Sequence, residues 1–152
     1  MADKPSEFHD PLNSIGYLSR VNFRAFSSEL EKLTEAHGVS AGQWRFLRVL
    51  WEEDGLTQRE LSRRVGITEP TAVKGVASLE AAGLVTREID KSDKRKMLVS
   101  LTPKARRLKR KLMPMVVAVN ERALHGIDAG DIETARRVLK LTLKNLTGDQ
   151  EA

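Results

Sequence analysis

The run LTQRELSRRVGITEPTAVKGVASLEAAG, residues 56–83, places two helix starts and two glycine stops in quick succession. Thr57 and Glu60 have the spacing of a capping box, in which hydroxyl and carboxylate satisfy backbone N–H groups left unpartnered in a first helical turn. Leu61 and Val65 follow one turn apart, and Gly66 suits the left-handed position that closes a helix. That helix is barely two turns long. Ile67 then leads into Thr68-Glu69-Pro70-Thr71, where Thr68 can cap, Glu69 complements the positive helix end, and Pro70 sits where an N–H has no partner anyway. The spacing predicts a second helix over residues 68–82, stopped by Gly83.

Downstream, Leu84 to Ile89 and Lys96 to Leu101 read as two strands joined by the polar segment Asp90 to Arg95, a β-hairpin with a charged tip. Thr102-Pro103 opens a further helix, in which Pro114 is expected to cause a kink near Leu112 to Pro114. A last helix from about Asp128 repeats Ile132, Ala135, Leu139, Leu143 and Leu146 close to a heptad seam, a stripe that packs either internally or against a second subunit. Upstream, Pro11 to Ala36 reads as one long helix carrying Leu12, Ile15, Leu18, Phe26, Leu30 and Leu33, with His37-Gly38 as its stop. Ser40 and Gln43 form another capping box before a helix bearing Trp44, Leu47, Leu50 and Trp51, which ends near Asp54-Gly55.

These elements add up to a mainly α (α+β) chain, and 152 residues suit a single unit with a real core. The net charge is +5, with a pI near 9.7. It is unevenly placed: the segment from Arg87 to Lys111 holds eleven Lys and Arg against three acidic residues, +8 net, so the rest of the chain is negative. A field concentrated in this way favours a polyanion. There is no cysteine, hence no disulfide, thiolate metal site or thiol redox sensor. No apolar run approaches the ~18 residues of a membrane span, and Met1 to Asp10 is polar and mixed in charge, unlike a signal peptide. The expectation is a cytoplasmic protein without a membrane partner. His9, His37 and His125 are scattered, and neither HExxH nor a phosphate-cradling glycine loop occurs, so neither catalysis, nor a metal site, nor a cofactor is expected.

Short helix, glycine turn, second helix and hairpin together form the order of a winged helix-turn-helix, whose second helix enters the DNA major groove. With Val73, Val76 and Leu79 toward the core, Thr71, Lys74, Gly75 and Ser78 face outward: hydroxyls for base edges, a cation for guanine or phosphate, and a glycine permitting close approach. The hairpin tip offers Asp93, Lys94 and Arg95, an arginine for a narrow minor groove with an aspartate to aim it. The same hairpin and basic helix could instead meet an acidic protein, so a winged-helix protein-interaction module without specific DNA binding is the alternative.

The sequence resembles the MarR family of bacterial transcription regulators. The resemblance rests on the long first helix, Leu56-Thr57-Gln58-Arg59-Glu60-Leu61, Leu79-Glu80-Ala81-Ala82-Gly83-Leu84-Val85, Asp93-Lys94-Arg95 and Leu101-Thr102, and spans nearly the whole chain. It implies long N- and C-terminal dimerisation helices (residues 11–37 and 103–147) around a DNA-binding domain at 40–101, with the recognition helix at 68–82 and the wing at 84–101. It further implies an obligate homodimer on double-stranded DNA with a palindromic operator, groove contacts from Thr71, Lys74 and Ser78, and a wing contact from Arg95. Val73 and Ser78 depart from the polar residue and the arginine that many members carry there. A repressor released by a small-molecule effector, such as an aromatic carboxylate, a phenolic or a thioester of one, is the expected mode, with Arg20, Phe23, Arg24, Trp44, Arg48 and Met113 as the candidate wall. An arginine would pair a carboxylate while the rings cover an aromatic body.

Overall fold

A computed structural model describes residues 7–148; Met1 to Ser6 of the polar N-terminal stretch lie outside them. The chain runs α1 (Ile15–Thr34), α2 (Ala41–Leu50), β1 (Leu56–Thr57), α3 (Gln58–Val65), α4 (Glu69–Ala81), β2 (Val85–Ile89), β3 (Met97–Leu101), α5 (Pro103–Ala123) and α6 (Ala129–Thr147). It is a mainly helical chain with one small antiparallel sheet, a winged helix-turn-helix flanked by long terminal helices. Among the described residues no helix is long and apolar enough to cross a membrane.

Local chemistry accounts for most of the boundaries. Both capping boxes form: Ser40 Oγ accepts from Gln43 N while Gln43 Oε1 accepts from Ser40 N, each at 3.2 Å, and Thr57 and Glu60 exchange the same pair of bonds at the head of α3. Gly38, Gly66 and Gly83 take positive φ at helix ends. The first helix is shorter than the expected span, because Ser14 caps it and single 3-10 turns, Pro11–Asn13 and Glu35–His37, flank it. α5 runs unbroken through Pro114, whose missing N–H leaves the Arg110 carbonyl without its helical donor.

One strand was not expected. β1, two residues long, pairs with β3 (Leu56 opposite Val99), so the sheet order is β1-β3-β2 and the hairpin is anchored along one edge. Asp54 reinforces that edge: Oδ1 accepts from Leu101 N at 2.8 Å, and Oδ2 from Arg106 at 2.6 Å. Trp51 Nε1 donates to the Ala105 carbonyl at 3.0 Å, tying the end of α2 to the start of α5. The core beneath gathers Phe46, Leu47, Leu50, Leu61, Val76, Leu79, Leu84, Val99 and Leu112, all essentially buried. Each such side chain contributes about 1.5–3 kcal/mol by leaving water. α6 buries no residue, and Leu139, Leu143 and Leu146 on its stripe are exposed.

Candidate nucleic-acid interface and ligand cleft

α4 presents a different face from the one its hydrophobicity predicts. Ala72, Val76 and Leu79 are fully buried, whereas Val73 is 48% exposed. Gly75 is turned inward: a Cβ there would lie 2.2 Å from Phe46 Cζ, inside the van der Waals envelope of the ring. The inner stripe is therefore 72, 75, 76 and 79, the i, i+3, i+4, i+7 pattern of one helix face, made of small residues where the Phe46 ring needs room. This corrects the expected facing of two residues. Val73 joins Thr71, Lys74 and Ser78 on the outer face, and Gly75 permits close approach of a core phenylalanine, not of DNA. Thr68 occupies the N-cap, yet its hydroxyl lies 2.9 Å from that of Thr71 and makes no capping bond.

The last turn of α4 touches α2 through a side chain that sequence reasoning assigned only to a cap. Gln43 Nε2 donates to Ser78 Oγ at 3.0 Å, and lies 3.5 Å from the Ser78 carbonyl oxygen. Arg87 on β2 pairs with Glu80 of α4 at 2.6 Å, and Lys104 Nζ donates to the Ala82 carbonyl at 2.8 Å, where a cation also meets the negative end of the helix. The hairpin, α4 and α5 are thus linked by polar contacts at the base of the hairpin.

At the wing tip two aspartates organise the turn and leave the cations outside. Asp90 Oδ1 accepts from Ser92 N and Ser92 Oγ, both at 2.7 Å. Asp93 Oδ1 accepts from Arg95 Nε and Arg95 N, both at 3.1 Å. The Arg95 guanidinium and then its N–H hold the Asp93 carboxyl below its ordinary range, as the Ser92 hydroxyl and N–H do for Asp90. The Arg95 side chain is 91% exposed, and Lys91, Lys94 and Lys96 are exposed beside it.

A second concavity, of about 530 Å³, opens among α1, α2, the end of α3 and α5. Phe23, Phe26 and Trp44 give it an aromatic lining, Leu30, Val49 and Val116 an aliphatic one, and Arg45, Arg48 and Arg64 a cationic one. Of the residues expected in its wall it takes Phe23, Trp44 and Arg48, but not Arg20, Arg24 or Met113. The helical repeat explains the difference: residues 23, 26, 27 and 30 share one face of α1, and Arg24 is turned about 100° from Phe23. Arg20 instead lies 5.3 Å from the Tyr17 ring centroid, and Met113 stands behind Arg48, its sulfur accepting from Nη1 at 3.3 Å. Phe26, Arg45 and Arg64 escaped sequence reasoning, although the same one-face rule, started at Phe23, reaches Phe26.

The model of the MarR family matches residues 37–96, from the stop of the first helix to the wing. The HTH-type transcriptional regulator TtmR of Methylorubrum extorquens is 36% identical over 88 residues, covering 58% of this chain and 45% of that protein. The chain spans about half the length of the curated relatives it matches. Among solved structures, a putative MarR family regulator from Listeria monocytogenes complexed with 26mer DNA is similar at 26% identity and a TM-score of 0.79, over 91% of this chain and 89% of that one. CouR from Rhodococcus jostii RHA1 bound to p-coumaroyl-CoA is similar at 25% identity and a TM-score of 0.77, over 93% and 97% of the two chains.

Proposed function

We propose that this chain, a member of the MarR family by its match to the family model and to solved MarR structures, is a DNA-binding transcription regulator that acts as a homodimeric repressor on a palindromic operator and leaves DNA when a small ligand fills the cleft. The observation that carries this reading is the outer face of α4, where Thr71, Val73, Lys74 and Ser78 stand clear of the core on a helix tied to a cationic wing. Hydroxyls and lysine supply hydrogen bonds to base edges, Val73 an apolar contact for a thymine methyl, and Arg95 a minor-groove contact, with Lys94 on phosphate and Asp93 aiming the arginine.

The dimer reading draws on α6. A helix whose Leu139, Leu143 and Leu146 stay exposed, beside an exposed Ile15 on α1, leaves apolar surface that a second copy would cover. The ligand reading draws on the cleft, whose rings suit a flat apolar body and whose arginines suit an anionic group. The bound ligand of CouR, a thioester of an aromatic acid, has that combination. Release requires that the ligand bind the arrangement of the two winged domains that cannot hold DNA more tightly than the one that can.

The test is titration of the protein with DNA selected from a random pool, at several salt concentrations. Phosphate contacts give a log-log slope of about −0.9 per phosphate neutralised. A flat slope, or no capture of DNA at low salt, sinks the reading.

A further inference from the structure

We propose that Gln43 is a positioning residue that sets the hydrogen-bond polarity of Ser78, so that Ser78 meets DNA as a donor and selects a base-edge acceptor. The inference rests on the reading of α4 as the recognition helix. It starts from the amide of Gln43, whose two ends are both committed. Oε1 accepts from the Ser40 backbone N–H at 3.2 Å as one half of the capping box. An N–H can only donate, so the oxygen must be the end that faces Ser40. Nε2 is then the end that faces α4, and it donates to Ser78 Oγ at 3.0 Å.

A serine hydroxyl has one proton and two lone pairs. With one lone pair taken by Gln43, what Ser78 has left to offer is its O–H and a second lone pair. The O–H finds no acceptor among the described residues, not even the Lys74 carbonyl one turn back, which a helical serine often uses. Ser78 is exposed, in the last full turn of the outer face. Donation to a base edge completes its bonding. In the major groove the acceptors are guanine O6 and N7, thymine O4 and adenine N7, whereas cytosine offers only its amino group. The base facing Ser78 is therefore read as one that carries an acceptor, guanine, thymine or adenine, in preference to cytosine.

Gln43→Glu separates this from a structural role. Glutamate serves at the third position of a capping box as well as glutamine does, so α2 keeps its start. Its carboxylate only accepts, so the Ser78 proton turns inward and a lone pair faces the groove. Wild type, Ser78→Ala, Gln43→Glu and the double variant are each used to select from a randomised double-stranded DNA pool, and the base-pair variants of the selected site are then titrated. The expected result is discrimination against cytosine at one base position per half-site. Ser78→Ala flattens it, and Gln43→Glu moves it toward cytosine, at the expense of guanine and thymine, by about three- to tenfold. The double variant behaves as Ser78→Ala does. The added negative charge of Gln43→Glu weakens all sites alike and leaves the ranking at other positions unchanged. If Gln43→Glu keeps the wild-type preference at the position that Ser78→Ala flattens, the proposal is overturned while the serine contact stands. If Ser78→Ala flattens nothing, the contact fails and the proposal with it. If wild type captures no DNA, the regulator reading itself falls.

Discussion

The Phe46 ring occupies the space that a β-carbon on Gly75 would need, with the nearest ring atom 2.2 Å from that position. Phe46 is 2% exposed and held by the core on every side, so it cannot swing away. Gly75→Ala is expected to destabilise the fold by about 1–3 kcal/mol through overpacking, in spite of alanine's helix propensity. Gly42→Ala on α2, where the nearest neighbour of an added Cβ is Ser40 Oγ at an ordinary 3.7 Å, is expected to shift stability the other way. Urea denaturation of the two variants checks the pair of signs; equal midpoints would remove the close-packing account.

Arg95→Ala is expected to weaken DNA binding and to lower the salt slope by about one. The fold is left intact, because among the described residues the guanidinium bonds only within its own turn, to Asp93. Isothermal titration with selected DNA at two or three salt concentrations reads both quantities. An unchanged isotherm refutes the wing contact.

On the proposed dimer, Leu143→Glu is expected to yield a species of about the chain mass, 17.0 kDa, without loss of helical signal. The reason is that α6 buries none of its residues within its own chain, so a charge there offends only a partner. Sedimentation of wild type at the chain mass, before any substitution, would already dispose of the dimer.

The two tryptophans, Trp44 and Trp51, make the cleft observable. Trp44 lines it, and Trp51 lies in the core with its ring centroid 5.5 Å from that of Trp44. In Trp51→Phe, emission from Trp44 is expected to change on addition of p-coumarate or its coenzyme A thioester, and Arg48→Ala to weaken that response about tenfold through loss of a charge-assisted bond. Coenzyme A alone serves as the control. Emission that ignores all three compounds argues against an aromatic acid in this cleft.

Glu60 gives the fold a defined acid response. The Thr57 hydroxyl and then its N–H hold the Glu60 carboxyl below its ordinary 4.5. A carboxylate whose folded pKa is depressed adds stability that is complete above its unfolded value and vanishes as pH falls through the folded one. Wild type is therefore expected to lose, below about pH 4.5, a small increment of stability that Glu60→Gln does not have to lose. Asp90, Asp93 and Glu29 are depressed too, but they are common to both proteins and cancel in the difference. Parallel stability curves for the two proteins across this range would contradict the assignment.

What the sequence made legible is what neighbouring residues decide among themselves. The caps at Ser40, Thr57 and Thr102, the glycines at 38, 66 and 83 and the hairpin pairing all depend on residues a few positions apart. β1 was hidden because two residues carry no periodicity, and its existence depends on Val99, far along the chain. The facing of α4 was misjudged because hydrophobicity ranks Val73 above Gly75, while the shape of Phe46 decides which of them can lie against α2. The wall of the cleft was half legible for the same reason: aromatic and arginine residues announce its chemistry, but only packing selects which of them share a face.

α2 is ten residues long, and opposite sides of it serve the two ends of the molecule: Trp44, Arg45 and Arg48 line the cleft, while Gln43 and Phe46 seat Ser78 and Gly75. Divergence of such a protein is constrained accordingly. Under the proposed function, a lineage acquiring a new ligand through changes in α2 risks altering its DNA site as well, whereas changes at Phe23 and Phe26 on α1, or at Val116 and Asn120 on α5, lie on helices other than the one that seats Ser78 and Gly75. Ligand preference is therefore expected to drift first on α1 and α5, with α2 the slow-changing hinge of the lineage.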